Sequence, residues 1–62
     1  MRVRVNGTDR EVTDGATVAD LLASLDMPAT GIAVAVDGEV RNRRTVLWDG
    51  ASVEIVTAVQ GG

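Results

Sequence analysis

The 62-residue chain reads as one α+β domain, a small sheet with one helix packed on one of its faces. Three observations carry that reading. Short runs of alternating apolar and polar residues near both ends of the chain mark half-buried strands. Asn6-Gly7, Asp37-Gly38 and Asp49-Gly50 punctuate those runs with tight-turn signals. A single stretch between them, TVADLLASLD, has helical spacing.

The elements follow in order. MRVRVN sets Arg2 and Arg4 against Val3 and Val5, the period of a strand with one buried face. Asn6-Gly7 turns that strand into a return strand over Thr8 to Thr13. Val18, Leu21, Leu22 and Leu25 fall at i, i+3, i+4 and i+7 and share one helical stripe, with Ala19, Asp20, Ser24 and Asp26 outside it. Thr17 is placed as the N-cap with Asp20 at the third helical position, a capping box with Asp in place of Glu or Gln; Asp20 also suits the positive end of the helix dipole. Pro28 is expected to stop the helix. GIAVAVDGEV predicts a third strand with Ile32, Val34 and Val36 on one face and Ala33 and Ala35 on the other, then a turn and a short strand over Glu39 to Arg41. After Asp49-Gly50 the last strand directs Val53 and Ile55 one way and Glu54 and Val56 the other.

A hairpin, a helix and then further strands is the β-grasp, or ubiquitin-like, order, with a mixed sheet of four or five strands. In that topology the first and last strands pair in parallel at the sheet centre, an expectation taken from the fold type and not from the residue pattern. Residues 1–58 are assigned to the β-grasp domain and 59–62 to a flexible C-terminal tail. With Phe and Tyr absent, the core falls to Val3, Val5, Val18, Leu21, Leu22, Leu25, Ile32, Val34, Val36, Leu47, Val53 and Ile55. Trp48 is expected to plug the core partly rather than to form a ligand platform. Ala33, Ala35, Val56 and Ala58 would face away from the helix among Arg2, Arg4 and Glu54. That face is open to two readings: the ordinary scatter of small apolar residues on a surface, or a docking face with a charged rim.

Composition narrows the chemistry. The chain has no Cys and no His, so it lacks thiols, disulfides, the commonest general base and the commonest neutral metal ligand. A domain this small also has little room for a catalytic cleft. The chain is therefore expected to be neither an enzyme nor the holder of a metal or a cofactor. Nine acidic against six basic residues, with Trp48 the sole aromatic, argue against a nucleic-acid partner. Arg41, Arg43 and Arg44 form the one basic cluster, either a solvated loop or a surface that pairs with an acidic partner. All the basic residues are Arg, so the chain offers no ε-amine. The longest apolar run, IAVAV, is far short of the ~20 residues that span a bilayer, and MRVRVNG lacks the apolar core of an export signal. A cytoplasmic protein is expected.

The tail VTAVQGG poses a separate question. A glycine pair buries no side chain and costs the most backbone entropy to order. At a background near 7% glycine, two in the last two places arise by chance in roughly one chain in two hundred, which leaves accident, a cloning scar or a fraying end open. The alternative is chemical. A terminal carboxylate is a poor electrophile until it is activated, and two residues without Cβ can thread a narrow channel to an ATP-using enzyme without crowding the acyl carbon.

VNGTDREV, TVADLL, GIAVAVDGEV, DGASVEIV and the terminal AVQGG together resemble the ThiS family of thiamine-biosynthesis sulfur carriers, small ubiquitin-like proteins. The resemblance covers essentially the whole chain. It departs from the family between Glu39 and Asp49, where VRNRRTVLW is shorter than expected and has the Trp without a Pro-Arg pair. The resemblance implies that Gly62 is adenylated by an E1-like adenylyltransferase using ATP and Mg. A cysteine desulfurase system would supply the sulfur that makes a thiocarboxylate, and thiazole synthase would accept it. Gly61 and Gln60 would present the tail; Val56, Ala58 and Val59 would form the docking surface. The chain would then be a cosubstrate, monomeric when free. Two rivals stay open: a carrier for another pathway (molybdopterin, cysteine or a secondary metabolite), and a non-reactive ubiquitin-like binding module.

Overall fold

The computed structural model describes residues 1–28 and 30–57. Strands β1 (Arg2–Val5), β2 (Thr8–Glu11), β3 (Ile32–Val36), β4 (Glu39–Val40) and β5 (Ser52–Thr57) form one sheet in the order β2-β1-β5-β3-β4. Helix α1 (Val18–Ser24) packs its apolar stripe against the inward residues of β1, β3 and β5. β1 runs antiparallel to β2 and parallel to β5, through Arg4 beside Ser52 and Val5 beside Val53. β5 in turn runs antiparallel to the whole of β3, from Val53 beside Val36 to Thr57 beside Ile32. This is the β-grasp arrangement, with the first and last strands side by side at the centre of the sheet.

The hairpins form where the turn residues allow them. Asn6 (φ 49°) and Gly7 (φ 85°) both take positive φ between the paired Val5 and Thr8, and Asp37 (φ 50°) and Gly38 (φ 87°) repeat this between Val36 and Glu39. Positive φ at both central residues gives the turn a twist that matches the strands, and Asn, Asp and Gly tolerate it best. β2 ends at Glu11, short of the expected Thr13. Val12 still donates its N–H to the Met1 carbonyl at 2.8 Å, after which Ala16 N–H closes a turn on Thr13 at 3.0 Å and the chain swings toward the helix. β4 likewise ends at Val40, although the Arg41 N–H continues to the Val34 carbonyl at 2.9 Å.

At the start of α1 every backbone N–H of the first turn has an acceptor. Val18 N–H and Ala19 N–H donate to the carbonyls of Thr45 and Arg43, both at 3.0 Å. Asp20 N–H donates to Thr17 Oγ1 at 3.2 Å, and Thr17 N–H returns to Asp20 Oδ2 at 2.9 Å, completing the capping box. Segment 43–45 therefore supplies half of the helix cap from a distant part of the chain. The helix ends at Ser24, before the Pro28 expected to stop it. Asp26 adopts φ 56°, its N–H bonds Ala23 O at 3.1 Å, and Met27 N–H bonds Leu22 O at 3.0 Å, the pattern of a Schellman cap. Met27 packs against the core that contains Leu22, the apolar contact that accompanies such a cap.

Val3, Val5, Val18, Leu21, Leu22, Val34, Val36, Leu47, Val53 and Ile55 are buried as expected, joined by Ala16 and Ala51. Leu25 and Ile32 are only half-buried. Leu25 is the C-cap, where the backbone has left helical geometry, and Ile32 opens β3 at the far end of the sheet, beside Thr57. Trp48 does not plug the core: it is 40% exposed, and its indole N–H donates to Asp37 Oδ2 at 3.0 Å.

Asn6 has a second role beyond its turn. Its N–H donates to Val53 O at 2.9 Å, its Oδ1 accepts from Ile55 N–H at 2.9 Å, and its Nδ2 reaches Ile55 O at 3.4 Å. The side-chain amide thus continues the β1–β5 ladder past the end of β1. Asn6→Asp keeps the acceptor and the tolerance of positive φ but removes the donor and brings a negative charge to the Ile55 carbonyl. It is expected to cost about 1–3 kcal/mol in urea unfolding, and a loss below about 0.5 kcal/mol would leave the amide donor without a role. Leu22, 2% exposed at the centre of the stripe, is expected to cost ~2–5 kcal/mol as Leu22→Ala; an unchanged midpoint would remove it from the core.

Candidate functional site

The helix covers one face of the sheet and leaves the other open. On β5 the outward residues are Ser52, Glu54 and Val56, and the register sets Val56 opposite Ala33 and Glu54 opposite Ala35. Ala35 is in turn opposite Val40. The β4-β3-β5 half of this face therefore gathers Val40, Ala35, Ala33 and Val56, with Val40 77% and Val56 60% exposed. The β1-β2 half is charged. Arg2 pairs with Glu11 at 3.2 Å and Arg4 with Asp9 at 3.4 Å, each across the hairpin. Exposed pairs of this kind contribute only about 0–1 kcal/mol each, so their effect is to distribute charge over the surface.

The face is thus divided, with an apolar half beside the exit of β5 and an ion-paired half beyond it. Ala33, Ala35, Val56, Arg2, Arg4 and Glu54 all lie on it, as the alternation predicts. Val40 is an addition. The two-residue Asp37-Gly38 turn already implied it, because that turn pairs Val36 with Glu39 and therefore Ala35 with Val40. Of the residues expected to dock a partner, Val56 is on the apolar half; Ala58 and Val59 lie outside the described residues, as do Gln60, Gly61 and Gly62.

Elsewhere the polar groups serve the fold. A cleft of about 620 Å³ runs between residues 11–16 and α1, on the helix side of the sheet. Its carboxylates are engaged: Glu11 with Arg2, Asp14 with the Met1 amine at 3.1 Å, and Asp20 with the Thr17 N–H. Among the described residues no three His, Cys, Asp or Glu side chains are grouped to hold a metal ion. No helix among them is long and apolar enough to cross a membrane.

The family model described as the ThiS family matches residues 3–62, through both terminal glycines. The chain belongs to the ThiS family. Solved structures agree with that assignment. The crystal structure of the thiamine biosynthesis protein ThiS from Geobacter metallireducens covers all of both chains at a TM-score of 0.82 and 29% identity. An NMR solution structure of a thiamine biosynthesis protein from the same organism covers all of this chain and 88% of that one, at a TM-score of 0.75 and 32% identity. SAMP1 from Haloferax volcanii, at 20% identity and a TM-score of 0.69, shares the fold. A threonine–tRNA ligase from Pelobacter propionicus is 41% identical over 54 residues, which are 84% of this chain and 8% of the ligase. The ThiS-type chain thus spans a small part of that curated relative's length.

Adjacent residues of β5 in this ThiS-family chain should respond in opposite ways to substitution. Ile55, 8% exposed, is expected to cost about 2–5 kcal/mol as Ile55→Ala. Val56→Arg is expected to stay within about 1 kcal/mol of the parent in the same denaturant titration, because its side chain stands in solvent. A Val56→Arg loss equal to that of Ile55→Ala would mean that the outer face is not a free surface.

Proposed function

We propose that the chain is a sulfur carrier protein of thiamine biosynthesis, working in the cytoplasm as a monomer between partners. The observation that carries this reading is the ThiS family match, which runs from residue 3 through Gly62. The Gly62 carboxylate attacks the α-phosphate of ATP on an E1-like adenylyltransferase, which holds the nucleotide and Mg; pyrophosphate leaves and an acyl adenylate remains. Sulfur mobilised from cysteine by a desulfurase system displaces AMP and leaves a thiocarboxylate. Thiazole synthase takes the sulfur, and the plain carboxylate returns to the cycle.

In this cycle the chain is a substrate, and its inventory suits that part. It brings no thiol or imidazole of its own, so the reactive groups belong to the enzymes. Gly61 and Gln60 present the acyl group, and the absence of a Cβ at both glycines lets the tail enter a narrow channel extended. The docking surface is Val56 with Ala58 and Val59, widened by Val40, Ala33 and Ala35 on the apolar half of the outer face.

One observation favours a second reading. The 41% identity to a segment of a much longer tRNA ligase suits a ubiquitin-like module that binds without tail chemistry. Incubating the chain with ATP, Mg, the adenylyltransferase from the same source and a sulfur donor, then reading the intact mass, separates the two. The carrier reading expects a gain equal to exchange of one oxygen for sulfur, and Gly62→Ala is expected to cripple that gain while the fold stays intact. No gain with an enzyme proven active, or normal turnover in Gly62→Ala, would reject the carrier reading or the threading argument respectively.

A further inference from the structure

Among the described residues, three of the four large apolar side chains that stand in solvent belong to one stretch: Val40, Val46 at 55% and Trp48 at 40%. Along residues 44–48 burial alternates, with Thr45 and Leu47 turned inward and Arg44, Val46 and Trp48 outward. The backbone of this stretch is held throughout. Arg44 N–H bonds Asn42 Oδ1 at 2.8 Å, Thr45 O caps the helix, Val46 bridges to Thr17, and Leu47 N–H bonds Ala16 O at 2.8 Å. Trp48 is fixed by its bond to Asp37, which satisfies the one polar atom of the indole and leaves hydrocarbon facing solvent. The backbone of the row and its indole are therefore held before any partner arrives, which lowers the ordering cost of binding.

Its Arg44 end is basic, while its Trp48 end adjoins Asp37 and Asp49. The chain carries a net charge of −3, yet Arg43 and Arg44 pair with no carboxylate among the described residues, and the buried Arg43 Nε has no hydrogen-bond partner there. Only Arg41 of this cluster is paired, with Glu39 at 2.7 Å. The surface that fits here is acidic around an apolar notch. Its position matters as much. Asp37, which holds Trp48, also bonds Ser52 at the start of β5, so the Trp48 end of the row lies about 17 Å along that strand from Thr57, its last residue.

We infer that Arg44, Val46 and Trp48 form a second docking point, on which the adenylyltransferase seats an acidic surface. The inference rests on the carrier reading above and adds to it how the enzyme recognises the body. A tail that ends in two glycines offers no side chain to grip, so affinity and orientation come from the body. Contact at the tail-proximal face alone leaves rotation about the tail free; a second contact about 17 Å away removes it.

The test is pyrophosphate exchange with the purified adenylyltransferase, with the carrier as varied substrate and every variant checked for its unfolding midpoint. Arg44→Glu and Val46→Glu, both at exposed positions, are each expected to raise KM about tenfold with kcat within about twofold of the parent. Trp48→Ala should do the same. If it fails to fold, Trp48→Phe, which keeps the ring and loses the Asp37 bond, is expected to raise KM less than Arg44→Glu. Added salt should raise KM for the parent and lower it for Arg44→Glu, because it screens the attraction in the first and the repulsion in the second. KM within about twofold of the parent for both Arg44→Glu and Val46→Glu would overturn the inference. A parent chain that supports no exchange would count against the carrier reading instead. Calorimetry with the same enzyme in the absence of ATP then decides the docking point, and binding that ignores Arg44→Glu rejects it.

Discussion

The sheet is organised around β5, and β5 is held on both sides by residues in the left-handed backbone conformation. Asn6 follows β1 and Asp37 follows β3, each as the first residue of a two-residue turn. That conformation keeps a short polar side chain over the neighbouring strand instead of turning it to solvent. Asn6 bonds Val53 and Ile55 from one side, and Asp37 bonds both the N–H and the carbonyl of Ser52 from the other. The β1–β5 contact joins segments some fifty residues apart, and such contacts are entropically late and costly. Hairpins that form locally can present Asn6 and Asp37 ready to receive the last strand, so two small turns specify where a distant strand lies.

The same constraint orders the rest of the molecule. Asp37 spends its second oxygen on Trp48, which ties residues 41–51 to the β3–β4 turn, and those residues cap α1 through Arg43 and Thr45. The helix is only seven residues long and would be marginal in isolation. It is stable here because its first turn is closed from outside and its last by a Schellman cap, with Leu21 and Leu22 buried between. Weakening the Asp37 cluster would therefore loosen the helix start without touching the helix itself.

What could be read from the residues was local. Alternation in MRVRVN and IAVAV, the Asn-Gly and Asp-Gly turns, and the Thr17–Asp20 capping box each depend on neighbours within four positions, and each formed as read. The helix stop is not legible because Asp26, not a glycine, takes the left-handed position just after the C-cap Leu25, so Pro28 carries the stronger signal. Ala16 and Ala51 were missed because they lie outside any periodic run and are buried by what the chain folds over them. Trp48 was misplaced for a related reason: its hydrogen-bond partner is eleven residues away, and no spacing rule connects them. The parallel β1–β5 pair has no short-range signature either and came from knowledge of the fold type. On the outer face, Val56 and the alanines followed from alternation, whereas the division into an apolar and an ion-paired half required the sheet order.

That division answers a difficulty every single-helix sheet faces. One face stays in water, yet a partner must find enough apolar surface there to bind. Large aromatic side chains on an open face would bind strongly and also invite self-association. Here the outer face uses Ala and Val beside β5 and cross-strand ion pairs beside β1, while its edges are a two-residue β4 and a fully exposed, charged β2. Short, charged edges and small apolar side chains of this kind disfavour edge-to-edge association. On the carrier reading proposed above, each partner is released after one transfer, and weak contacts spread over separated points suit that better than one strong patch. On the same reading separated points would also discriminate, because an enzyme would have to match their spacing as well as their chemistry, and β5 sets that spacing.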